Sequence, residues 1–221
     1  MKYELVIFDL DGTLLDTLDD LAAACNFALR QAGFPERTRE QVRLSIGNGV
    51  VNLMRRSAPE GIQGETQEKL LSDFRAYYAE HVNDHTRPYP GIQALLDALR
   101  EAGVRIAVNS NKPSAATQAL CAAHFEGSLD VVMGEQASVP RKPSPEGARQ
   151  IMEAMKAAPE RTLYVGDSDT DLMTARNAGI DAAWVSWGYR RRRELGEVDV
   201  PHAFDTAEAM GRFILDDQNG E

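Results

Sequence analysis

Between residues 92 and 186 the chain repeats one pattern four times: an amphipathic helical stretch, then a short apolar run. Ile92, Leu95, Leu96 and Leu99 mark one face of a helix over 92–102, Gly103 ends it, and an apolar run at 104–109 follows. The same alternation gives helix 114–123 with strand 129–133, helix 145–157 with strand 162–166, and helix 170–178 with strand 181–186. Strands joined through helices in this way run parallel, because each helix carries the chain back to the edge where the last strand began. The expected class is α/β: a Rossmann-like parallel sheet with helices on both faces.

Tyr3 to Leu10 is a further apolar run, bounded by Asp11-Gly12, and a strand at 3–9 has no other sheet to join. The segment in between has a different texture. Leu18, Leu21, Ala22, Cys25, Ala28, Leu29 and Ala32 keep helical spacing up to Gly33. Thr38 and Gln41 offer a capping box for a second, short helix, which Gly47-Asn48-Gly49 breaks. A third helix covers Val50 to Ser57, and a longer one runs from about Thr66 to His81 with Leu70, Leu71, Phe74 and Tyr78 on one face. Residues 1–15 and 87–221 are therefore expected to form a core domain, and residues 16–86 an all-helical domain inserted after the first strand. Pro88-Tyr89-Pro90-Gly91 punctuates the return, and the last dozen residues are polar and read as a frayed end.

With 221 residues and 43% hydrophobic content, the chain can bury such a core. A net charge of −10 opposes a general nucleic-acid binder, since the phosphate backbone has the same sign. It does not oppose a small anionic substrate met by local cations or a metal ion. Cys25 and Cys121 stand among alanines and leucines and read as buried small hydrophobes in a reducing compartment. A strand follows Met1-Lys2 directly, and no apolar run approaches the ~18 residues of a membrane span. The expectation is a cytoplasmic protein with no membrane or nucleic-acid partner.

Ligands of an open parallel sheet gather at the carboxyl ends of its strands. Asp9 and Asp11 lie at such an end in VIFDLDGTLLDT, and two residues apart in extended backbone they face the same side. Carboxylates aimed at one point repel unless a cation separates them, and hard oxygen ligands beside a phosphate suit Mg2+. Asp-Gly also makes turns, and Asp11 alone reads equally well as a helix cap. Taken with the other strand ends, the pair reads as a site. Asn109-Ser110-Asn111-Lys112 follows the run at 104–108, Arg141-Lys142-Pro143 follows 129–133, and Gly166-Asp167-Ser168-Asp169-Thr170-Asp171 closes 162–166. Packing requires none of these polar groups at one sheet edge.

These segments resemble the four signature motifs of the haloacid dehalogenase superfamily of phosphatases: DLDGTLLDT the first, NSNK the second, RKP the third and GDSDTD the fourth. The resemblance spans essentially the whole chain, and the helical insertion falls where that family carries its mobile cap. It implies Mg2+-dependent hydrolysis of a phosphomonoester through an aspartyl-phosphate. On matching positions, Asp9 is the nucleophile, and Asp11 is the general acid and then the general base. Lys142 supplies positive charge to the nucleophile and the transferring phosphoryl group, to which Ser110 donates a hydrogen bond. Asp9, Asp167 and the backbone carbonyl of Asp11 make the metal set, with Asp171 behind them holding a water of the metal shell or orienting Lys142. Ser110, Asn111 and Lys142 form the phosphate-binding group.

Ser45-Ile46-Gly47-Asn48-Gly49-Val50, with Leu53 and Arg56, resembles the cap loop of phosphoglycolate phosphatases, as does Trp187-Gly188-Tyr189 after the last strand. That implies a small phosphorylated metabolite, 2-phosphoglycolate, as substrate, with Arg56 as a contact for its carboxylate; a plain surface arginine fits the same position. Arg190 to Arg193 read either as a solvated face or as anion steering. A phosphosugar phosphatase or mutase, a nucleotidase or a pyrophosphatase would share the four motifs. A receiver-type signalling domain needs no long helical insertion and carries its phosphorylated Asp on a later strand. A catalytically silent phosphate-binding protein has no need of every polar position. Monomer and homodimer both remain open.

Overall fold

The computed structural model describes residues 2–47 and 49–216. Asn48, in the expected break between helices, and 217–221, in the expected frayed end, lie outside the described residues. The chain divides into two compact units, Met1–Leu15 with Pro88–Glu221, and Asp16–Arg87. In chain order the elements are β1 (Leu5–Phe8), β2 (Leu15–Asp16), α1 (Leu18–Gln31), α2 (Arg39–Ser45), α3 (Val50–Ser57), α4 (Glu65–Glu80), β3 (Arg87–Pro88), α5 (Ile92–Glu101), β4 (Arg105–Pro113) and α6 (Ser114–Phe125). Then follow β5 (Val131–Glu135), α7 (Glu146–Met155), β6 (Thr162–Gly166), α8 (Asp169–Ala178), β7 (Asp181–Val185), β8 (His202–Phe204) and α9 (Ala207–Leu215).

Six strands form a wholly parallel sheet in the order β5-β4-β1-β6-β7-β8, while β2 and β3 pair separately. The chain moves outward from β1 through β4 to β5, then returns to β6 on the other side of β1. This reversal opens a crevice at the carboxyl ends of β4, β1 and β6, where open sheets of this kind bind ligands. Register sets the levels: Phe8 pairs with Val108 on one side and Val165 on the other. Leu5 and Ile7 of β1 join Ala107, Tyr164, Ile151 of α7 and Leu172 of α8 in one apolar cluster. Val6 and Phe8 point the other way and are also fully buried. Both faces of the central strand are therefore covered, which explains its unbroken apolar run.

In the helical unit, α1 packs on α4. Ala24, Cys25, Ala28 and Leu29 are buried on α1, and Leu70, Phe74 and Tyr78 on α4. Thr38 and Gln41 form the capping box read from the sequence, and α3 has the expected bounds. Asp20, 1% exposed, accepts hydrogen bonds from the backbone N–H groups of His85 and Thr86 and from Thr86 Oγ1, tying the start of α1 to the end of the unit.

Up to Leu215 the structure corrects the frayed-end reading. β8 adds an edge strand, and α9, capped by the Thr206 side chain, reaches Leu215 and buries Met210, Gly211 and Ile214. β4 also outruns its expected end, continuing through the polar segment to Pro113.

Candidate active site

Asp9 follows the last residue of β1, and its N–H donates to Val165 O at 2.8 Å, so its main chain still belongs to the sheet. Its side chain meets Lys142, whose Nζ lies 2.7 Å from Asp9 Oδ1 and 2.7 Å from Asp171 Oδ1. Lys142 is buried, with its ammonium 5.9 Å from the centre of the Tyr164 ring. Burial alone would push this lysine down, but Asp171 and Asp9 beside it raise it well above the usual range, so it stays charged. Asn111 holds the Lys142 main chain at both ends: its Nδ2 donates to Lys142 O at 3.1 Å, and its Oδ1 accepts from Lys142 N at 2.9 Å. The carboxamide expected as a phosphate contact thus spends its oxygen and one N–H on Lys142, with a second N–H on Nδ2 besides.

Asp171 stands in the first turn of α8, where its Oδ2 accepts from Ser168 Oγ at 2.6 Å and Ser168 N at 3.2 Å in a capping box. One carboxylate thereby starts a helix and orients the lysine. Asp167 closes the group. Its Oδ2 accepts from Tyr189 N at 2.5 Å, and its backbone carbonyl from Trp184 Nε1 at 2.9 Å. The segment after β7 also reaches the first motif, through Trp187 Nε1 donating to Thr13 O at 3.0 Å. Its tight approach needs a glycine: a Cβ on Gly188 would lie 2.3 Å from Asp167 Cβ and 2.3 Å from Gly12 O. Gly12 has φ +86, and a Cβ there would lie 2.6 Å from Asp167 Oδ2.

Asp9, Asp167 and Asp171 each offer a carboxylate oxygen within 4.8 Å of the others, all three buried. Burial raises Asp9 to about 7, with Asp171 and Asp11 adding repulsion against the pull of Lys142. Burial, then Asp171 and Asp9, raise Asp167 well above the carboxylate range. Buried carboxylates in such excess over the ammonium that bridges two of them, cradled by glycines, fit a hard divalent cation. Asp171 has both oxygens engaged by Lys142 and Ser168, so Asp9 and Asp167 are the carboxylates placed to hold it.

Asp11 stands apart from that cluster. Its carboxylate pairs with Lys112, whose Nζ is 2.8 Å from Oδ1 and 3.1 Å from Oδ2. The motif pattern had given Lys112 no role. Ser110 is buried on β4, and its Oγ accepts from Lys112 N at 3.3 Å, which leaves its own O–H to donate. Ser110, Asn111 and Lys142 line one small, open cleft. Arg56 lies in the other unit, exposed on α3, with its guanidinium donating to Ser45 O at 3.3 Å and Ile46 O at 3.5 Å. Arg191 to Arg193 are exposed, and Glu194 accepts from Arg191 N at 3.0 Å. Cys25 and Cys121 are buried free thiols.

Comparison with known proteins adds to this geometry. The family model described as haloacid dehalogenase-like hydrolase matches residues 6–185. A phosphoglycolate phosphatase of Nitrosospira multiformis is 36% identical over 214 residues, 93% of this chain and 94% of that protein. One from Aquifex aeolicus is 30% identical over 213 residues, covering 96% and 98%. A crystal structure from Lactobacillus delbrueckii subsp. bulgaricus, provisionally named a phosphoglycolate phosphatase, has a TM-score of 0.91 at 35% identity, covering 98% of this chain and 100% of that one.

Proposed function

Because the chain belongs to the haloacid dehalogenase-like hydrolases, we propose that it is a Mg2+-dependent phosphatase that hydrolyses 2-phosphoglycolate through an aspartyl-phosphate. The observation that carries this reading is the Lys142 ammonium fixed 2.7 Å from an Asp9 oxygen at the open end of the central strand. A carboxylate is a weak nucleophile toward an anionic ester, and a buried cation against it both orients it and offsets the charge of the arriving phosphate.

Asp9 Oδ attacks phosphorus, forming the acyl-phosphate as the ester P–O bond breaks. Asp11 passes a proton to the departing alkoxide, then takes one from the water that attacks the same phosphorus, restoring Asp9 and releasing phosphate. Ser110 donates to a phosphoryl oxygen, while Asn111 and Asp171 set the Lys142 ammonium. Asp9, Asp167 and the Asp11 carbonyl would hold Mg2+, which when bound neutralises phosphoryl charge.

We assign residues 16–86 as the cap that selects the leaving group, with Arg56 contacting the glycolate carboxylate. The relatives named above support the substrate, since their similarity runs through the helical segment as well as the sheet. We further place the enzyme in the cytoplasm, as monomer or homodimer. Among the described residues no helix is long and apolar enough to cross a membrane.

The test is phosphate release with Mg2+ from 2-phosphoglycolate, hexose phosphates, nucleoside monophosphates and pyrophosphate, repeated with a chelator. A strong preference for 2-phosphoglycolate, abolished by chelation, is expected. A preference for hexose phosphates would keep the chemistry and replace the substrate; chelator-resistant turnover would remove the metal. Arg56→Ala is expected to raise KM for 2-phosphoglycolate about tenfold, the scale of one charged hydrogen bond, while sparing an uncharged alkyl phosphate. Equal effects on both would take Arg56 out of the substrate site.

A further inference from the structure

Lys112 is a buried lysine next to the proton-transfer group, and the chemistry above gives it no task. Its side chain is 2% exposed and that of Asp11 19%. Strand pairing brings their segments side by side: β1 and β4 run parallel up to the Phe8–Val108 pair, and just beyond it Lys112 Nζ reaches Asp11 Oδ1 at 2.8 Å. The backbone at Lys112 is anchored on both sides. Its N–H donates to Ser110 Oγ at 3.3 Å, and its carbonyl accepts from the fully buried Thr117 Oγ1 at 3.1 Å. The ammonium is therefore a fixed point, while Asp11 stands past the last ladder pair of β1, next to a glycine. A buried ammonium costs several kcal/mol that an apolar residue of equal size would not, so packing does not account for a lysine here.

We infer that Lys112 is a positioning residue for proton transfer. Its two contacts fix the Asp11 carboxylate in one orientation, apart from the Asp9–Asp167–Asp171 group, from which Asp11 passes its proton to the leaving oxygen as the P–O bond breaks. Lys112 keeps its own protons throughout. This rests on the phosphatase reading and goes beyond it.

The test is single-turnover cleavage, which isolates the first half-reaction. The substrates are 2-phosphoglycolate, ethyl phosphate and p-nitrophenyl phosphate, the last with a leaving group that departs without a proton. Lys112→Met is expected to slow both alkyl esters about 100-fold and p-nitrophenyl phosphate less than about threefold. Lys112→Arg should recover most of the loss. In an Asp11→Asn background, Lys112→Met should add less than about threefold, because it acts through Asp11. If the Met variant does not fold, Lys112→Gln serves in the same comparison. Equal losses on all three esters would overturn the inference, as would a full additional loss in the Asp11→Asn background. A loss confined to KM for 2-phosphoglycolate would also overturn it and make Lys112 a carboxylate contact. A wild-type enzyme that cleaves none of the esters would instead sink the phosphatase reading itself.

Discussion

Asp9, Asp167 and Asp171 crowd three carboxylates into one buried group, and Lys142 bridges only two of them. Crowding these carboxylates costs stability, and the sign of that cost follows from Asp9. Its pKa is raised from 3.8 to about 7, by burial first and by its acidic neighbours after that. A group raised in this way contributes stability that is complete below about 3.8 and lost as pH climbs through about 7. In chelator, wild-type Tm should fall across that window, and Asp9→Asn should make the fall shallower. The same substitution should lower kcat at least ~1,000-fold with near-native circular dichroism. An unchanged Tm slope would refute the electrostatic account, and retained turnover the nucleophile. Asp9, Lys142 and Asp167 were legible because strand ends and motif spacing mark them. Lys112 was not, because its meaning lies in a partner 101 residues away and in a strand register that no local pattern encodes.

Among the elements, those that announce their own boundaries were the easiest to read. The Thr38–Gln41 box starts α2, and the apolar periodicity of α1 stops at a glycine. The tail was harder: β8 is three residues long, too short for any periodicity, and α9 follows it among polar residues although Ala207, Met210, Gly211 and Ile214 keep helical spacing. β4 was cut short in the reading because its final residues are polar; they are strand residues at the carboxyl end of the sheet. In the helical unit, one buried carboxylate joins α1 to the returning chain. Asp20→Ala would leave the N–H groups of His85 and Thr86 and the Thr86 hydroxyl without their acceptor. A loss of about 3 kcal/mol in urea unfolding is expected. A change under about 0.5 kcal/mol would mean that water replaces the carboxylate at no cost.

Across the molecule, the amino ends of the parallel strands are tied by charge as well as by backbone. Asp181, which opens β7, accepts from Tyr3 Oη at 2.5 Å and Lys2 Nζ at 2.8 Å, with His202 Nε2 of β8 at 3.4 Å. Burial alone would raise Asp181, but the hydrogen bonds from Lys2 and Tyr3 prevail and hold it at about 2. A depressed carboxylate gives stability that is present above about 3.8 and lost as pH falls through about 2. The Tm gap between wild type and Asp181→Asn should therefore be constant above about pH 5 and close toward about pH 2. A gap that persists at the acid end would assign Asp181 a packing role only. The strand order has a further consequence for the life of the chain. Asp9 leaves the ribosome before Lys142, and Asp167 and Asp171 follow later still. Until the last of these has emerged and β6 has docked beside β1, the acidic group does not exist. The nascent polypeptide thus carries the Asp9 carboxylate without its partners until that point.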